Sequence, residues 1–89
     1  MSGTLAAPRN CFLLLPSIHF VLKAEQFFRR QGLDHDLVPV PRKISTACGM
    51  ALAFHCSDLA VVKQVLEEAG LPMPRLFRLD DQEEFHPLA

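Results

Sequence analysis

The sequence contains no tryptophan or tyrosine, and it shows no excess of basic charge. Nine Lys and Arg residues stand against ten Asp and Glu residues, which gives a formal net charge of -1. Nucleic-acid-binding proteins usually carry a basic excess, so this balance does not favour them. Apolar runs such as residues 11–15 have the length of a strand, far below the roughly 20 residues of a membrane span. We therefore expect neither nucleic acid nor a membrane as a partner.

Cysteine is also scarce, with three residues among 89. An odd number cannot pair completely within one chain, and the start of the sequence lacks the basic residues and long apolar stretch of a signal peptide. These features indicate a reducing, cytoplasmic compartment. A hydrophobic fraction of 49% with 21% charged residues is typical of a globular chain, and the length fits one domain.

Two stretches repeat apolar residues at three- and four-residue steps, the pattern of amphipathic helices. In the first these are residues 20, 21, 24, 27 and 28, and in the second residues 59, 62, 65, 66 and 69. Ser17 is suited to cap the first helix, and glycines end both helices. Short apolar or alternating stretches predict strands at residues 11–15, 33–40, 50–54 and 75–79.

The two halves of the chain have the same strand–helix–strand order. This βαββαβ order predicts an α+β, ferredoxin-like sandwich: a four-stranded antiparallel sheet with two helices on one face and strand order 4-1-3-2. We expect a disordered N-terminus at residues 1–9, one domain at residues 10–80 and an acidic flexible tail at residues 81–89. A swapped or extended sheet in a dimer remains an alternative.

The predicted strand order brings the loop at residues 42–49 beside the start of the first helix. Cys48 lies in this loop, and a cysteine near a helix N-terminus and cationic groups is a candidate nucleophile, because both lower the pKa of a thiol. The other candidate site residues are Ser17, His19, Arg42, Ser45 and Gly49, and Lys43 adds charge. The alternative is that Cys48 is an inert thiol packed at the start of a strand.

Cys11 and Cys56 are expected near each other at the opposite end of the sheet. Their spacing lacks the close ligand pairs of a zinc site, so two structural thiols are favoured over a metal or redox site. We identify no glycine-rich phosphate loop, carboxylate pair or Ser/His/Asp arrangement in the sequence. We expect no cofactor and no metal.

The run Pro-x-Pro-Arg-x-Ile-Ser-x-x-Cys-Gly at residues 39–49, with residues 16–25 and Gly32-Leu33, resembles the DUF3343 family of Se/S carrier-like domains. The resemblance covers about residues 11–79. It implies a carrier, rather than a turnover enzyme, that holds sulfur or selenium on Cys48 as a persulfide or selenopersulfide. A donor such as a cysteine desulfurase or selenocysteine lyase would load it, and an acceptor protein would receive the atom. Arg42 and the helix terminus would stabilise the anionic persulfide.

A second hypothesis comes from another class of protein. The same loop, lying over a helix terminus, is suited to a non-catalytic module that binds a small anion or docks a protein, with an incidental thiol. The second strand has prolines and is expected at the edge of the sheet, where it could pair with another copy to form a homodimer. These alternatives, and the choice between sulfur and selenium, stay open at this point.

Overall fold

The computed structural model describes residues 9–44 and 49–88 of the chain. These residues form two helices and five strands. In chain order they are β1 (Cys11–Leu14), α1 (Ile18–Arg30), β2 (His35–Pro39), β3 (Met50–Phe54), α2 (Leu59–Ala69), β4 (Arg75–Leu79) and β5 (Phe85–Leu88). A short 3-10 turn, Cys56–Asp58, leads into α2.

The five strands form one antiparallel sheet in the order β2-β3-β1-β4-β5. The predicted α+β class with two helices is confirmed, and the first four strands have the predicted relative order. The predicted count of four strands is wrong, because β5 extends the sheet beyond the four-stranded ferredoxin-like layout. No helix in the described part of the chain is long and apolar enough to cross a membrane.

One face of the sheet, here called the helix face, is covered by both helices. Successive strand residues point to opposite faces, so Cys11 and Leu13 of β1 lie on the same side as Leu52 and Phe54 of β3. These residues form a single core with the apolar stripes of the helices, which supply Val21, Ala24, Phe28, Val62 and Leu66. The two predicted helix patterns therefore mark the surfaces that pack on the sheet.

The opposite face, here called the loop face, is also apolar. It carries the buried residues Phe12, Leu14, Ala51, Ala53 and Phe77. Among residues 9–44 and 49–88, no helix contributes to this cluster; instead Ile44, from the segment after β2, packs on it together with Phe85 and others. The neighbouring Lys43 donates a hydrogen bond from Nζ to the carbonyl of Glu83 at 2.8 Å, so this segment crosses the sheet toward the β4–β5 turn.

The fifth strand occupies part of the segment that the sequence predicted to be a flexible tail. The turn before it is organised by Asp80, whose carboxylate accepts hydrogen bonds from the backbone N–H groups of Gln82 and Glu84, both at 2.9 Å, and from His86 Nε2 at 2.7 Å. Glu83 adopts a positive φ of 61° in this turn. Pro87 is tolerated because β5 is an edge strand. The acidic segment that the sequence analysis interpreted as a flexible tail therefore forms part of a hairpin.

We predict that Phe28→Ala destabilises the protein by about 3–5 kcal/mol. Phe28 is fully buried, and its ring packs edge-on against Phe54 at 5.8 Å between centroids, so truncation leaves a cavity between α1 and the sheet. Urea unfolding followed by circular dichroism measures the loss. Phe27→Ala is the matched control, because Phe27 is only half-buried and should cost clearly less. Equal losses would contradict this account of the core.

We predict that the free energy of unfolding falls as the pH drops from 3.8 to about 2, partly because of Asp80. The hydrogen bond from His86, followed by that from the Glu84 N–H, lowers the pKa of Asp80 from 3.8 to about 2. Its stabilising effect is therefore complete above pH 3.8 and is lost as the pH falls through the folded pKa.

The variant Asp80→Asn lacks this contribution at every pH. It should be less stable than the wild type at neutral pH and should lose less stability over the same acidic interval, as measured by urea unfolding at each pH. Asp81→Asn, a change in the exposed neighbouring side chain, is the control and should follow the wild type. A variant curve parallel to the wild type through this interval would show that Asp80 contributes nothing.

Candidate functional site

A cavity of about 310 Å³ lies at the end of the sheet where β1 leads into α1. Three segments meet there: the connection from β1 to α1, the two ends of the β2–β3 connection, and the start of β4. The lining residues are Leu14, Leu15, Pro16, Ser17, Ile18, Val40, Gly49, Met50, Met73 and Arg75. Most of this lining is apolar, so the few polar groups at its edge determine what it can hold.

The start of α1 forms one wall of the cavity. Ser17 is the N-cap residue with extended backbone, but its side chain makes no capping hydrogen bond, unlike the capping role expected from the sequence. The first helical hydrogen bond runs from the Val21 N–H to the Ser17 carbonyl at 3.2 Å. The preceding N–H groups, with the positive end of the helix dipole and no acidic residue in the first turn, therefore favour negative charge here.

The β2–β3 connection reaches the cavity at both of its ends. Val40 donates a backbone hydrogen bond to the Gly49 carbonyl at 3.1 Å, which continues the pairing of the two strands by one residue. Gly49 and Ser17 both line the cavity. Two of the predicted site residues, Ser45 and Cys48, lie outside the described residues.

The cation at this cavity is Arg75, which the sequence analysis did not select. It is the first residue of β4 and lies opposite Leu14 in the register of β1 with β4. Its guanidinium carbon lies 5.1 Å from the centroid of the Phe77 ring on the same face of the strand. The sequence could have indicated Arg75, because a strand β4 antiparallel to β1 places its first residue at the end of the sheet where β1 finishes.

The remaining predicted site residues lie elsewhere. His19 is exposed on the first turn of α1, where its ring contacts that of Phe20, and it does not line the cavity. Arg42 is exposed in a turn closed by a hydrogen bond from the Ile44 N–H to the Pro41 carbonyl at 3.0 Å. Arg42 also does not line the cavity.

The opposite end of the sheet holds the other two cysteines. Cys11 and Cys56 form a disulfide, so the expectation of two free structural thiols is wrong. The strand register explains this bond. Cys11 lies opposite Phe54, and the chain turns back at Cys56, two residues after Phe54, so the two cysteines meet at this end of the sheet. A bonded pair also weakens the cysteine argument for a reducing compartment. Within residues 9–44 and 49–88, no group of three or more His, Cys, Asp or Glu side chains is placed to hold a metal ion.

An ion-pair cluster lies near this disulfide. Asp34 receives two hydrogen bonds from Arg9, at 2.8 and 3.0 Å, and a third from His55 Nε2 at 2.6 Å. These bonds lower the pKa of Asp34 to about 2, and the bond from Arg9 has the largest effect. Arg9, which the sequence analysis assigned to a disordered N-terminus, is thus tied to the domain, and residues 1–8 lie outside the described residues.

Comparison with known proteins covers both the cavity and the disulfide end of the sheet. The family model described as "Putative Se/S carrier protein-like" matches residues 10–78, and these include Ser17, Gly49 and Arg75. Neither the comparison with curated proteins nor that with solved structures gives a match. The family match extends from β1 into β4 and covers well over half of the chain. The chain therefore belongs to the putative Se/S carrier protein-like family.

Proposed function

We propose that the protein carries sulfur or selenium on Cys48, as a persulfide or a selenopersulfide, and hands the atom to an acceptor protein. The observation that carries this proposal is the position of Gly49, the residue bonded to Cys48, in a cavity that also contains the N-terminus of α1 and Arg75. Membership of the family supplies the chemical class of the cargo.

The loading step needs no oxidant. The Cys48 thiolate attacks the outer sulfur of a persulfide on the donor, and the donor's sulfur–sulfur bond breaks. The donor leaves as a thiolate, and the outer sulfur, with its proton, becomes Cys48-S-SH. Unloading is the same exchange, with an acceptor thiolate as the nucleophile. The rate of both steps depends on the fraction of thiolate and on access to it.

The cavity supports this step because its polar groups favour anions. A thiolate and a persulfide are both negatively charged, and the first residue of α1 and Arg75 both line the cavity. The role that the sequence analysis gave to Arg42 is therefore better assigned to Arg75.

The partners follow from the same chemistry. The donor is a protein that bears a persulfide or selenopersulfide, such as a cysteine desulfurase or a selenocysteine lyase, and the acceptor is a protein with a free thiolate. We place the exchange in a reducing compartment such as the cytoplasm, where the Cys48 thiol stays free. Sulfur and selenium would use the same thiolate and the same anion-favouring groups.

We predict that Cys48 acquires a reducible adduct when the protein is incubated with a cysteine desulfurase and cysteine. Intact-mass analysis should show one added sulfur atom that dithiothreitol removes, and Cys48→Ser should acquire none. Cys56→Ser is a control, because it alters a different sulfur and should leave the adduct on Cys48 in place. The carrier role fails if the wild type gains no adduct or if Cys48→Ser gains the same one.

We also predict that Arg75→Gln slows the alkylation of Cys48 by iodoacetamide at pH 7. The carrier role requires a thiol pKa below the ordinary value of about 8.5, and loss of the cation should raise it. A rise of half to one pKa unit corresponds to about three- to tenfold slower alkylation. The pH dependence of the alkylation rate gives the pKa directly.

Arg78→Gln is the matched control for this experiment. It removes the same charge from the same strand, but Arg78 lies opposite Cys11, at the far end of the sheet. The control should alkylate at the wild-type rate. An ordinary thiol pKa in the wild type, unchanged in Arg75→Gln, would instead favour the hypothesis of an anion-binding module with an incidental thiol.

A further inference from the structure

The disulfide end of the sheet has features that the carrier role does not use. Cys11 is the first residue of β1 and is fully buried, whereas Cys56 opens the 3-10 turn and is partly exposed. Their Cα atoms are 5.1 Å apart, within the ordinary range for a disulfide. Cys56 is therefore the more accessible residue of the pair, and attack on its sulfur leaves Cys11 as the sulfur that departs.

His55, the residue immediately before Cys56, is held in a defined orientation. Its Nε2 lies 2.6 Å from Asp34 Oδ2, and Arg9 holds the same carboxylate through two hydrogen bonds. Because Arg9 and His55 keep the pKa of Asp34 near 2, the carboxylate is ionised at neutral pH and can only accept. The hydrogen on Nε2 is therefore fixed toward Asp34, and Asp34 acts as a positioning residue.

The other ring nitrogen of His55 has no partner. Nδ1 is buried and forms no hydrogen bond among the described residues. Such an atom is costly in a folded protein and calls for an explanation. His35 shows the contrast, because its Nδ1 contacts the Leu33 carbonyl and its Nε2 contacts Glu25, both at 2.8 Å. Nδ1 of His55 is thus an unpartnered ring nitrogen on the residue directly before Cys56.

We propose that Cys11–Cys56 is a thiol–disulfide exchange site, separate from Cys48, whose substrates are thiols and whose proton carrier is His55. A thiol gives its proton to Nδ1, and the resulting thiolate attacks the Cys56 sulfur. The Cys11–Cys56 bond breaks, and Cys11 leaves with the electron pair and takes the proton from Nδ1, so no thiolate stays buried. The mixed disulfide remains on Cys56.

A second thiol completes the exchange. The second thiol attacks the outer sulfur of the mixed disulfide, and the bond from that sulfur to Cys56 breaks. The two small thiols leave joined as a disulfide, and Cys56 takes the proton of the second thiol. Two thiols are oxidised by two electrons in total, and the Cys11–Cys56 disulfide is reduced by the same two electrons. The reverse sequence restores the bond, so neither a metal nor oxygen is required.

The test uses the full chain with Cys48→Ser, so that only the Cys11–Cys56 pair is counted. The protein is equilibrated with reduced and oxidised glutathione at a series of ratios, quenched in acid, alkylated with iodoacetamide and weighed intact. We expect a reversible change between no and two alkyl groups while the circular dichroism spectrum stays that of the folded chain. Because Cys48 is absent, failure of the carrier role would leave this result unchanged.

The role of His55 is tested by His55→Gln in the same background. Exchange should slow by about 10²-fold, a typical contribution of general acid–base catalysis, while the glutathione ratio at the midpoint stays the same. A purely structural role would shift the midpoint instead. The matched control is His86→Gln, because His86 Nε2 also pairs with a carboxylate, Asp80, at 2.7 Å but belongs to the β4–β5 hairpin. This control should exchange at the rate of its Cys48→Ser parent.

Three outcomes would overturn the proposal. The pair could stay oxidised at every glutathione ratio, it could become reduced only when the helical signal is lost, or His55→Gln could exchange as fast as His86→Gln. Should His55→Gln fail to fold, Asp34→Asn is the second variant, because it keeps both cysteines and His55. Loss of the fixed ring orientation should slow its exchange too, and an unchanged rate would count against the proposal.

Discussion

Strand β1 is buried on both faces, and this constraint organises the rest of the molecule. It lies between β3 and β4, so its side chains alternate between two surfaces that must both exclude water. The helices cover one surface. Ile44 and Phe85 help to cover the other, and the Phe12 and Phe85 rings meet at 5.5 Å between centroids. The connection after β2 therefore has a packing role as well as a proposed chemical one.

That packing role determines how the β2–β3 connection relates to the cavity. On one side of the four residues that the structure does not describe, Ile44 is held on the loop face, and the neighbouring Lys43 is bonded to the β4–β5 turn. On the other side, Gly49 is bonded to Val40 at the cavity. The described residues on either side of Cys48 are therefore each held by contacts with the rest of the domain.

The two proposed sulfur sites lie at opposite ends of the same short strand. Leu14 lines the cavity, whereas Cys11, three residues earlier, is bonded to Cys56. Three residues of strand span about 10 Å, and β1 supports both sites without bringing them together. Arg75 and the start of α1 line the cavity at one end, and His55 with Asp34 and Arg9 lies next to Cys56 at the other. The two can therefore react with different partners.

Local patterns by themselves determined both helices, the first four strands and their relative order, because apolar periodicity and chain reversals are encoded over a few residues. Only the tertiary structure decided that β5 exists, since its turn depends on the bonds that Asp80 makes once the chain is folded. It also decided that Arg42 does not line the cavity and that Cys11 and Cys56, expected at the same end of the sheet, are bonded to each other. These arrangements involve residues that are far apart in sequence. They depend on the strand register and on which face of the sheet must be covered, and no single segment of the chain specifies either.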